Sequence, residues 1–114
     1  MDQRDRDRLY VVHIIDSISR IFEYSQRDKD TFLSSRLVQD AVIRNLQTLA
    51  ESAQRLSEEV KGLEPSVPWR SISGFRNVVV HEYLALDPQV IWLVIERDLP
   101  SLNESLQRIQ EHLR

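Results

Sequence analysis

Val38-Gln39-Asp40-Ala41-Val42-Ile43-Arg44-Asn45-Leu46-Gln47-Thr48-Leu49-Ala50-Glu51-Ser52-Ala53-Gln54-Arg55-Leu56-Ser57-Glu58-Glu59-Val60 is the stretch whose periodicity decides the fold. Val38, Val42, Leu46, Leu49, Ala53, Leu56 and Val60 recur at steps of four, four, three, four, three and four. That is the interval at which side chains return to one side of an α-helix. The pattern predicts an unbroken helix from about Leu33 to about Gly62, the longest of the chain, with the glycine as its stop. Beside the apolar row runs a smaller, more polar one, Leu37, Ala41, Asn45, Thr48 and Ser52. Small side chains permit close approach, so this flank is expected to meet another helix or a second subunit.

Working outward, the same periodicity recurs on both sides. Val11, Ile14, Ile15, Ile18, Ile21 and Phe22, extended by Leu9, predict a first helix starting within Asp5 to Asp7 and running to about Tyr24. Asp16 and Arg20 form an i,i+4 pair off that stripe, and His13 is expected to face solvent. The polar stretch 25–30 reads as a connection. Leu63-Glu64-Pro65-Ser66-Val67-Pro68 is a two-proline connector that no helix interior tolerates. Helical spacing resumes with Trp69, Ile72, Phe75 and Val79. Asp87-Pro88 then starts a last helix, aspartate as N-cap and proline in the first turn. Its stripe, Ile91, Ile95, Leu99, Leu102, Leu106, Ile109 and Leu113, keeps phase through Pro100, which predicts one kinked helix or two abutting ones. The expected fold is all-α: an up-and-down antiparallel bundle of four long helices in a single domain, 1–114.

Composition agrees with this. With two glycines and four prolines in 114 residues, too few turns exist for a β-sandwich. No apolar run approaches the ~18 residues of a membrane span. The charged N-terminus lacks an apolar leader core, and there are no cysteines, so the expected compartment is the cytoplasm. His13, His81 and His112 are scattered, and glycine-rich phosphate loops are absent, so neither metal nor cofactor is expected. A net charge of −3 does not advertise nucleic-acid binding, although all basic residues except Lys29 and Lys61 are arginines, which suit bidentate phosphate contacts.

Chemically capable side chains crowd into one place: Ser73-Gly74-Phe75-Arg76-Asn77-Val78-Val79-Val80-His81-Glu82-Tyr83. An imidazole can take and give a proton near neutral pH. A guanidinium can grip two phosphate oxygens. On an ideal helix Asn77 and His81 share a face, whereas Arg76 and His81 stand about 140° apart. To aim both at one atom, the helix must bend or end here, or a second subunit must complete the site.

Arg76, Asn77, His81 and Tyr83 spell R-N-x-x-x-H-x-Y, which resembles the signature of the HEPN superfamily in its HepT-like branch. The segments 38–46, 50–53, 67–74 and 98–100 also resemble blocks of that family. The resemblance implies a homodimeric, metal-independent endoribonuclease toxin. Its usual partner is a minimal nucleotidyltransferase antitoxin of the MntA type. Arg76 and His81 are then the catalytic pair, Asn77 orients His81, and Glu51 and Arg44 support the site. Tyr83 takes the position of the tyrosine that the antitoxin modifies with AMP. The competing reading, which the net negative charge favours, is a non-catalytic helical module that binds a nucleotide or a nucleotidyltransferase.

Overall fold

The structure, a computed structural model, describes residues 1–81 and 86–114, with the side chains of all of these except 76–81. It is helical throughout, with no strand among the described residues. The helices are α1 (Gln3–Ser25), α2 (Lys29–Leu33), α3 (Arg36–Arg55), α4 (Glu58–Lys61), α5 (Trp69–His81), α6 (Pro88–Leu93) and α7 (Leu99–Leu113). A π-helical turn, Val94–Asp98, lies between the last two.

Helix α1 begins earlier than its hydrophobic pattern suggests. Asp2 is the N-cap and accepts from the Asp5 backbone N–H at 2.9 Å, so Gln3 is already helical. Val11, Ile14, Ile18 and Ile21 are fully buried and His13 is exposed, whereas Leu9 points out to solvent. The helix ends where Gln26 and Arg27 take left-handed φ values of 55° and 52°. Ser25 holds that turn: its Oγ donates to the Ile21 carbonyl at 2.7 Å and accepts from the Arg27 N–H at 3.2 Å. The Arg27 guanidinium lies 4.3 Å above the Phe22 ring, a cation–π contact across the turn.

The unbroken helix from Leu33 to Gly62 is three helices instead, and α1, at 23 residues against 20 for α3, is longer than any of them. Serines cause both breaks. Ser35 caps α3 by accepting from the Val38 N–H at 3.2 Å. Leu56 is extended (ψ 144°), and Ser57 caps α4 by accepting from the Val60 N–H at 3.2 Å. Such hydroxyls offer backbone donors a partner outside the helix ladder. The second break is locked by Asp7 of α1, which is only 3% exposed. Its two oxygens accept from the Ser57 N–H (2.9 Å) and Ser57 Oγ (2.8 Å), and one also accepts from Gln3 Nε2 at 3.0 Å. The apolar row survives the breaks: Val42, Leu46, Leu49, Ala53, Leu56 and Val60 all join one core with α1 and α7.

Asp87 and Pro88 start α6 as expected, the carboxylate accepting from the Gln89 N–H at 2.9 Å. From Pro88 to Leu113 the chain is one helical run, adjusted rather than broken at Val94–Asp98, just before Pro100. Pro100 has no N–H and its ring crowds the carbonyl four residues back. The backbone answers by widening: the Leu99 N–H reaches the Val94 carbonyl, a five-residue step.

Helix α3 is the centre. It carries α1 on one side and α5 on the other, and α7 closes against α1. Phe32 of α2 is fully buried against Trp92 of α6, ring centres 6.0 Å apart.

Candidate functional site

Among the described residues, the side-chain hydrogen bonds that anchor α5 sit at its N-terminal end. Trp69 Nε1 donates to the carbonyls of Lys61 (3.0 Å) and Glu64 (3.1 Å), tying the helix start to the end of α4. Glu64 is in turn held by Arg108 of α7, whose Nη2 and Nε lie 2.6 and 3.1 Å from Glu64 Oε1. That hydrogen bond holds the Glu64 carboxyl below the usual carboxylate range. The two-proline connector is thereby a strut between α4, α5 and α7 rather than a loose linker.

From this anchor α5 packs principally along α3, with Ile72 and Phe75 partly buried against the core and Arg70, Ser71 and Gly74 exposed. The backbone is helical without interruption from Trp69 to His81. Arg76, Asn77 and His81 therefore lie on one continuous helix, within one and a half turns. Their side chains are outside the described set, and Tyr83 lies outside the described residues altogether. The helix does not end between Arg76 and His81, so positions 76 and 81 keep their angular separation of roughly 140°.

Arg44 and Glu51 fall two turns apart on the outward side of α3. Glu51 is half-buried and makes an interaction of its own. Arg44 is exposed and turns towards α1. There it lines a polar groove of about 530 Å³ with His13, Asp16, Arg20, Tyr24 and Asn45. Asp16 and Arg20 pair along α1, on one wall of the groove, at 3.1 Å. The small-residue flank of α3 thus meets α1: Ala41, Asn45 and Thr48 form one wall of this groove. Asn45 Nδ2 bonds back to the Ala41 carbonyl at 2.9 Å, and Thr48 Oγ1 to that of Arg44 at 3.2 Å, which lets polar side chains sit beside a helix contact.

A feature that periodicity does not reveal is a cleft of about 410 Å³ on the other side of α5. Because α5 packs on α3, space remains between it and α7. The walls include Leu46, Leu49, Ile72, Phe75, Val94 and Leu102, with Arg97 and Asp98 at the rim. The π turn contributes directly, since it sets the rotation of Val94, Arg97 and Asp98 about the helix axis. The only advance signal was the proline inside an otherwise regular stripe. Among the described residues no three His, Asp or Glu side chains converge as a metal site, and no helix is long and apolar enough to cross a membrane.

Comparison with known proteins agrees with the family resemblance of the sequence. A Methanocaldococcus jannaschii protein named "Gamma-glutamylcyclotransferase and putative RNase MJ0434" is 32% identical over 107 residues, 93% of this chain and 48% of the relative. The chain thus spans about half the length of that relative. A Thermococcus cleftensis protein named "Probable ribonuclease HepT" is 29% identical over 103 residues, 90% of this chain and 94% of its own. "Putative RNase MJ1380" of M. jannaschii is 25% identical over 108 residues, 94% and 98% of the two chains. No solved structure matches. The family model described as "Ribonuclease HepT-like" matches residues 14–109, from the middle of α1 nearly to the end of α7, and the chain belongs to that family.

Proposed function

We propose that this protein is an RNA-cleaving toxin that works as a homodimer. The observation that carries the reading is the family match over nearly the whole chain, combined with the motif R-N-x-x-x-H-x-Y, whose Arg76, Asn77 and His81 fall on one uninterrupted helix. His81 takes the proton from a ribose 2′-hydroxyl. The freed oxygen attacks the adjacent phosphorus, the bond from phosphorus to the 5′-oxygen breaks, and that oxygen leaves with a proton. The products are a 2′,3′-cyclic phosphate and a 5′-hydroxyl. Arg76 stabilises the charge that grows on the phosphoryl oxygens, and Asn77 orients His81 from one turn away. Cleavage by this route is an internal transesterification that draws on side chains alone and needs no metal.

The angle between positions 76 and 81 on one continuous helix supports a dimer, in which two copies of the motif face a shared cleft. One imidazole then acts as base and the other as acid. In this reading each copy is an up-and-down bundle, with α1, α3, α5 and the α6–α7 run as its four long members. Glu51 and Arg44 support the cleft from α3. In the cytoplasm a nucleotidyltransferase antitoxin of the MntA type would silence the toxin by placing AMP on Tyr83. The added phosphate competes for Arg76 and the base fills the cleft.

The direct test is product analysis. Purified protein and RNA in EDTA should give fragments with cyclic phosphate ends, and sedimentation at micromolar concentration should give a dimer. Fragments with 5′-phosphates, or a monomer that is fully active, contradict the mechanism. The net charge of −3 favours one other reading, a non-catalytic module that binds a nucleotide or nucleotidyltransferase. Absence of cleavage at any protein concentration selects it.

A further inference from the structure

Among the described residues nothing requires Gly74 to be a glycine. It sits in the interior of α5, where glycine is disfavoured. It has no positive φ. A methyl group added to it would meet nothing within 4 Å among the described residues. No turn, strain or neighbouring side chain inside the described molecule asks for it. A missing side chain on an exposed helix face leaves the backbone open to close approach from outside.

What comes close is indicated by the residues around it. At ~100° per residue, positions 70, 74, 77 and 81 lie within about 60° of one another, so Gly74 shares a stripe with two motif positions and with Arg70. Arg70 is exposed and makes no ion pair among the described residues. Residues 65–81 contain no Asp or Glu, the longest acid-free run in a chain that carries 18 acidic residues. The protein is negative overall, yet this helix carries Arg70 and Arg76 and no Asp or Glu of its own. Such a face repels acidic surfaces and attracts polyanions.

We propose that the stripe of α5 leading up to the motif is the bed on which the RNA strand lies. Gly74 lets the sugar–phosphate backbone rest against the helix, and Arg70 holds a phosphate about 16 Å along the helix axis from position 81, a few nucleotides away from the bond to be cut. Arg70 is a binding residue, not a catalytic one. This inference rests on the ribonuclease reading and extends it by naming the path of the substrate.

The test uses the full chain and a fluorescent, mixed-sequence oligoribonucleotide made uncleavable by 2′-O-methylation, followed by anisotropy across a range of salt concentrations. Arg70→Ala should weaken binding about tenfold and flatten the slope of log affinity against log salt by about 0.7, the value for one lost phosphate contact on a single strand. Arg70→Lys should keep most of that slope. Gly74→Leu should weaken binding with the slope unchanged and the sedimentation coefficient unaltered. Gly74→Ala, should the leucine variant aggregate, is expected to raise Tm and still weaken binding. If Arg70→Ala and both Gly74 variants bind as the unmodified protein does while that protein cleaves RNA, the proposed path is wrong and the ribonuclease reading stands. If Gly74→Leu instead dissociates the dimer, the glycine serves a protein contact and the path is again wrong. If the unmodified protein neither binds nor cleaves any RNA, both fall together.

Discussion

Asp7 shows how much a single residue can decide. Sequence pattern places it at the start of α1, where an acidic side chain is ordinary. The structure buries it, with both oxygens occupied by Ser57 and one also by Gln3. Replacing it leaves the Ser57 backbone N–H without its partner at the joint of α3 and α4. Asp7→Ala should therefore lower stability by about 1–3 kcal/mol in urea unfolding, the cost of an unsatisfied buried group. Gln26 presents the opposite case. It is exposed and held at φ 55°, a conformation that glycine adopts without penalty. Gln26→Gly should raise stability by about 1 kcal/mol in the same measurement. Neither feature is visible in hydrophobic spacing, because both arise where side chains satisfy backbone groups across a turn or a joint. His13 was legible, since its exposure follows from its position beside the α1 stripe.

At the level of elements, apolar periodicity proved a good guide to which face is buried and a poor one to where helices stop. The row from Val42 to Val60 lies in one core although the backbone breaks at Leu56. Periodicity reports which way side chains face, whereas the break is set by serine hydroxyls and by Asp7. The proline in the last stripe was legible as a disturbance, and the π turn is its physical form. The connector from α4 to α5 was expected as two prolines and a turn. Its stiffness comes from Trp69 and from the Glu64–Arg108 pair, which no local pattern announces. That pair makes a pH prediction. Arg108 lowers the Glu64 carboxyl pKa in the folded protein. The resulting stabilisation is therefore fully present above the ordinary carboxylate range and is lost as pH falls through the lowered folded value. Tm of the unmodified protein should exceed that of Glu64→Gln at neutral pH. The gap should close on acidification. Because Arg108 is exposed, the gap should be small and should shrink in high salt.

For the molecule as a whole, the all-helical class and the place of Arg76, Asn77 and His81 on the helix that opens at Trp69 were readable from spacing alone. The surroundings of the motif were not. Arg44 and Glu51 share the outward side of α3, but Arg44 opens onto the groove with α1, a consequence of how α1 and α3 pack. The cleft between α5 and α7 likewise depends on three elements meeting. In the proposed function these levels join: a helix anchored at its start, with arginines and no carboxylate of its own, would present Arg76, Asn77 and His81 to an RNA strand. Tyr83→Phe tests its regulation, since it keeps the ring and removes the acceptor. That variant should gain no AMP mass with a cognate nucleotidyltransferase and ATP, and should escape inactivation. The most direct test of the central claim is RNA cleavage in EDTA by the unmodified protein and by His81→Ala, each checked by circular dichroism for intact helix. The account predicts cleavage by the first and none above background by the second at equal helicity. A well-folded His81→Ala protein that cleaves RNA at the unmodified rate would contradict it.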